Sequence, residues 1–195
     1  MTFLRQASLA RPTRPFTSQV FGGPWDAFVE RWAPVVHAFV EGALGPYGTE
    51  PGQNILPLDD ADHASGATAS FQPGSGQVRL STVTAGLPGM TLEKLTHEMI
   101  HGSLSQFPEG DPFYEEGFVD FSTWLLAHAP VWGEHRQSMI DAAAYNIGQR
   151  RDRAMKGVSD YDRKRWAGGT YAMLAHGPWL IARLKMKKAE LDFTW

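Results

Sequence analysis

Residues 91–105 read TLEKLTHEMIHGSLS and residues 111–121 read DPFYEEGFVDF. From Thr91 onward the pattern is helical: Thr91 can cap a helix with Lys94 three places on, and Glu93 suits the positive end of its dipole. That helix is expected to run to about Ser105. In its middle stands His97-Glu98-Met99-Ile100-His101, an H-E-x-x-H pattern. Two histidines four apart differ by about 40° around a helix and one turn along it. Their imidazoles can therefore converge on one ion at about 2.0–2.1 Å without distorting the backbone. Glu98 is rotated by about 100° from His97, which suits it to hydrogen-bond a water rather than to be a third ligand. With seven His and ten Glu, a shuffled chain would hold about 0.01 such matches.

A third ligand is available nearby. Glu115-Glu116-Gly117-Phe118-Val119-Asp120 begins fourteen residues after His101. Asp111 reads as the cap of a second helix with Pro112 in its first turn, ending before Pro130. Gly102, Pro108 and Gly110 in the connection let the chain double back, so that a carboxylate of the second helix completes a His2Glu set. Glu116 is chosen over Glu115 because Asp120 lies one turn further on the same face. From there Asp120 could accept from the distal nitrogen of a ligating histidine and fix its ring. Three protein ligands and one water make the catalytic form of tetrahedral zinc.

H-E-x-x-H followed by E-G-F and an aspartate resembles the gluzincin metallopeptidases, the thermolysin-like and aminopeptidase-N-like enzymes. The Glu before Gly in their N-E-G-F or E-G segment binds zinc, which falls on Glu116, and their E-x-x-x-D spacing falls on Glu116 and Asp120. The resemblance implies a zincin-like α+β fold: a small mixed sheet, an N-terminal helix, the H-E-x-x-H helix and a C-terminal helical part. It implies one domain over 1–195, with the first helix and sheet in about 1–91 and the active-site and C-terminal helices in about 91–195. Residues 77–83 look like the zincin edge strand that pairs with bound peptide. The implied activity is zinc-dependent peptide-bond hydrolysis on a peptide or protein substrate, with His97, His101 and Glu116 on Zn2+ and Glu98 as general base. The aminopeptidase G-x-M-E-N sequence is missing, so an endopeptidase is expected. An oxyanion donor is sought among Tyr145, Tyr161, Tyr171 and His176, and Trp166-Ala-Gly-Gly169 resembles the family's Y-x-x-G helix with Trp in the tyrosine position. Two readings compete. The same ligands could hold Fe(II) in an oxygenase, with Arg79 or the Arg163–Arg165 run for a co-substrate carboxylate, or the chain could be a non-catalytic binding module.

Around this centre, Pro24-Trp25 opens a helical stretch to about Leu44, whose apolar stripe is Phe28, Trp32, Val35, Val36, Phe39 and Val40, with a kink expected at Pro34. Short extended segments are expected at 53–58, 67–72 and 77–83, the last two joined by the hairpin turn Pro73-Gly74-Ser75-Gly76. Further helices are expected at 134–156 and 160–190. The order suggests an α+β fold with segregated helices. His37 reads as a packing residue, His63 as part of a self-capped polar loop, and His128 and His135 as surface residues. Phe118, Phe121, Trp124 and Leu125 read as core.

The chain has 195 residues, 43% hydrophobic and 20% charged, which is globular composition. Without cysteine there is no thiolate metal site and no thiol nucleophile, so any metal falls to His, Asp or Glu. No apolar run approaches the roughly 20 residues of a membrane span, and the default compartment is the cytoplasm. Net charge is −3, but residues 1–146 carry −9 and residues 147–195 carry +6. The basic residues Arg150, Arg151, Arg153 and Arg163–Arg165 read as a solvated helical face partnered by Asp152, Asp160 and Asp162. With no aromatic-rich module beside them, nucleic acid is not an expected partner. The first twenty residues are basic and free of acids, and read as a docked arm or first strand.

Overall fold

The computed structural model describes residues 15–104 and 112–184, without the side chains of 112–114. The expectations for residues 1–14, for the loop 106–111 with its Asp111 cap, and for the chain beyond 184 lie outside the described residues. The fold is mixed α+β, and the chain divides into two compact units between residues 107 and 108. The first holds β1 (Thr17–Ser18), α1 (Pro24–Leu44), β2 (Asn54–Pro57), α2 (Asp60–Ser65), β3 (Ala69–Gln72), β4 (Gln77–Leu80), a 3-10 turn (Thr82–Thr84) and α3 (Pro88–Leu104). The second holds α4 (Pro112–Ala127), a 3-10 segment (Pro130–His135), α5 (Arg136–Met155) and α6 (Asp160–Arg183).

In the first unit, α1 buries Val36, Phe39 and Val40 of the expected stripe, with Val29 and Ala33 beside them, while Phe28, Trp32 and Val35 are half-buried, and the helix continues through Pro34. It packs against α3, which buries Leu92, Leu95, Met99 and Ile100. Each of the Val, Leu, Ile, Phe and Met side chains removed from water contributes roughly 1.5–3 kcal/mol. The first turn of α1 anchors β1. The Asp26 carboxylate accepts from Ser18 Oγ and from the backbone N–H groups of Val20, Phe21 and Gly22, at 2.6–3.1 Å.

The sheet order is β1-β2-β4-β3, with β1 and β4 parallel to β2 and β3 antiparallel to β4. The 73–76 turn forms as expected: Gln72 and Gln77 pair, and the Gln72 carbonyl accepts from Gly76 N–H at 2.8 Å. This hairpin corrects the reading of 77–83 as an edge strand. β4 is flanked on both sides, because the turn folds Ala69–Gln72 onto its open side, so the outer edge belongs to β3. The acidic turn at 59–63 caps itself, but as a six-residue helix with an Asp59/Asp62 capping box.

Helix α3 starts at Pro88, one turn before the expected cap. Thr91 lies buried inside the helix, its N–H donating to Leu87 O at 2.9 Å and its hydroxyl to Thr84 O at 3.1 Å. The 3-10 turn, capped by Ser81, delivers the chain directly into the helix, and Pro88 needs no partner at a first helical position.

In the second unit, α4 packs mainly against α6 and also against α5. Its core includes Val119, Phe121, Trp124, Leu125, Met139 and Leu180. The α4–α6 contact is backbone on backbone: a Cβ built on Gly117 would lie 2.2 Å from Gly169 N and 2.4 Å from Arg165 O. His128 is not a surface residue. It is buried, with Nδ1 2.8 Å from Trp124 O and its ring against the Trp124 indole, so it satisfies a carbonyl at the end of α4 from within.

The Asp partners expected for the basic face are present: Arg153 and Arg150 meet Asp162, Arg151 meets Asp152, and Arg163 meets Asp160. Arg165 departs from that face and is buried. No helix among the described residues is long and apolar enough to cross a membrane.

Candidate metal centre

Helix α3 presents His97 and His101 one turn apart, with ring centroids 5.2 Å from each other and planes at 67°. His97 and Glu98 are buried and His101 is half-buried. The turn that carries His101 is fixed by the residue after it. Gly102 O accepts the N–H groups of Gly48 and Thr49, both at 3.0 Å. A Cβ at Gly102 would lie 2.8 Å from Thr49 O and 3.1 Å from the Tyr47 ring, so this turn requires glycine.

Tyr47 is itself held, its hydroxyl donating to His37 O at 3.0 Å and its ring 4.6 Å from the His37 ring. Burial pushes the Tyr47 phenol well above its ordinary pKa, and the charges of Glu41 and Glu50 push it further. His37 Nε2 meets Glu50 at 2.8 Å, which makes His37 the packing residue expected. Neither the 47–49 loop nor Gly102 stood out in the sequence as a support for the histidines.

On α4, Glu115 is exposed and Glu116 half-buried. Asp120, one turn on, shares the face of Glu116, and both reach the same cation. Arg165 Nη1 lies 2.7 Å from Glu116 Oε2, while Nε and Nη2 donate to Asp120 Oδ2 and Oδ1 at 2.6 and 2.7 Å. Burial opposes the Arg165 charge, but the hydrogen bonds and charge of Asp120, with the charge of Glu116, outweigh it and raise its pKa above the ordinary arginine value. Both Asp120 carboxylate oxygens thus accept from Arg165.

One ligand-capable atom each from His97, His101 and Glu116 lies within 4.8 Å of the others, so the three residues could hold one metal ion. Two imidazoles and a carboxylate form a mixed nitrogen and oxygen donor set that suits zinc and also Fe(II).

The four oxyanion candidates lie on α5 and α6. Tyr145 on α5 and Tyr171 and His176 on α6 are exposed, and His176 stands edge-on to Phe118. The Tyr161 hydroxyl accepts from Arg165 Nη1 at 2.6 Å. Trp166 lines a small cleft in the second unit with Asp120, Ile147 and Thr170. No protein-family model matches the chain, and no curated protein or solved structure matches it either.

Proposed function

We propose that the protein is a zinc-dependent peptidase, with His97, His101 and Glu116 as the metal ligands and Glu98 as general base. The observation that carries the reading is the convergence of these three ligand atoms within 4.8 Å, in a chain where the acid next to the first histidine is a buried glutamate. A structural zinc site needs no such residue, whereas hydrolysis needs a base. Zinc bound there would supply Lewis acidity toward the scissile carbonyl and lower the pKa of a water molecule. Glu98 accepts a proton from the attacking water as its oxygen bonds to the carbonyl carbon. It then gives that proton to the amide nitrogen as the C–N bond breaks. The substrate is a peptide or protein segment.

Digestion of a proteome-derived peptide library, with and without chelator, tests the reading. Cleavage is expected from the zinc-loaded protein and is expected to stop on chelation. Glu98→Gln should retain one zinc per chain and lose turnover by at least about 100-fold, in line with loss of a general base. Full activity in Glu98→Gln, or iron with oxygen dependence in the purified protein, overturns the proposal.

A further inference from the structure

Arg165 is a cation whose side chain is 8% exposed, facing two carboxylates one turn apart on α4. Burying a charge is costly unless it is paired with good geometry, and here the geometry is that of a fork. Asp120 takes Nε and Nη2 side by side, and Glu116 takes Nη1. The fork reaches α4 because Gly117 lets the two helix backbones touch at Gly168 and Gly169.

We propose that Arg165 is a positioning residue for the metal ligand Glu116, with Asp120 as its counter-charge. The inference rests on the reading of His97, His101 and Glu116 as the metal site. A glutamate side chain has three torsions to fix. One oxygen of Glu116 is engaged by a guanidinium that Asp120 also holds, so the carboxylate is oriented before the metal arrives. Hydrogen-bond partners that orient a ligand in this way change metal affinity by about 10–100-fold. The charge arrangement has the same logic. Asp120 neutralises Arg165, so the clamp orients Glu116 without cancelling the negative charge that attracts the cation. Lysine, a point charge without a fork, cannot span both carboxylates in this way.

The test is zinc affinity by competition against a chromophoric chelator, with urea unfolding of the metal-free proteins measured in parallel. The pair Arg165→Gln with Asp120→Asn removes the clamp and leaves net charge unchanged. It is expected to keep a stoichiometry of one zinc per chain and to bind about 10–100-fold more weakly. In a Glu116→Gln background the same pair should cause no further loss, because the clamp acts through Glu116. Arg165→Lys, which retains the charge, should also weaken binding and serves as the test if the paired variant does not fold. Wild-type affinity in the paired variant or in Arg165→Lys overturns the proposal, as does a loss that persists undiminished without Glu116. A wild-type protein that binds no zinc, or whose affinity ignores Glu116→Gln, overturns the metal-site reading itself.

Discussion

Glu115 and Glu116 are adjacent in the chain and differ in everything that matters to a metal. Glu115 faces solvent, whereas Glu116 is 27% exposed, contacts a buried arginine, and has an oxygen within reach of two imidazoles. Glu115→Gln is therefore expected to leave zinc affinity unchanged, and Glu116→Gln to weaken it at least about tenfold, since removing a ligand costs more than loosening one. Isothermal titration of both variants checks this, and equal affinities would remove Glu116 from the ligand set. The histidines and Glu116 were readable because helical spacing and an i+4 partner are local facts. Arg165 was not, because in Arg163-Lys164-Arg165 it looks like one of three solvated cations. Its burial is decided by Asp120, 45 residues away. A local signal did exist: Asp162, Arg165, Gly168 and Ala172 recur at helical spacing, and all four are buried.

Between elements, the contact of α4 with α6 depends on the absence of a side chain. At Gly117 a Cβ would meet Gly169 N and Arg165 O at 2.2 and 2.4 Å, and backbone atoms cannot rotate aside, so the helices would have to separate. Gly117→Ala is expected to cost about 1–3 kcal/mol, in the range of overpacking. Thermal unfolding would show it as a fall of about 2–4 °C for each kcal/mol. Gly148→Ala on α5 is the control. A Cβ there meets nothing within 4 Å, and the change should stabilise by about 0.5–1 kcal/mol as the unfolded chain loses freedom. If the two substitutions had the same effect, close approach would not be what Gly117 provides. Helices were legible at this scale because amphipathic periodicity is written within each segment. The strand order was not. The β3–β4 hairpin could be read from its turn, but the parallel pairing of β4 with β2 sets Leu56 beside Arg79 across a long stretch of chain, and nothing inside residues 77–83 tells an inner strand from an edge. The start of α3 was displaced for a similar reason, since Thr91 found a partner in the Thr84 carbonyl rather than serving as a cap.

Over the whole molecule, net charge says little about acid tolerance, because individual carboxylates set it. In the first unit, burial tends to raise the pKa of Asp26, but the Ser18 hydroxyl and three backbone N–H groups prevail and lower it below the ordinary 3.8. In the second, the Arg153 hydrogen bond is the main cause that lowers Asp162; the Ser159 hydroxyl and the charges of Arg153 and Arg150 add to it against the opposing effect of burial. Both folded values lie below the unfolded one, so in the interval between them the unfolded chain binds more protons. The stability from each aspartate is fully present above the ordinary 3.8 and is lost as pH falls through the lowered folded value. Urea midpoints measured from about pH 6 downward should therefore drop on the acid side. Asp26→Asn and Asp162→Asn should each be less stable than wild type near neutrality and show a shallower acid limb, because the titrating group is gone. An acid limb in Asp162→Asn as steep as that of wild type would mean that the loss of stability comes from other carboxylates, and that the Arg150–Arg153–Asp162 cluster does not set the acid limit of the second unit.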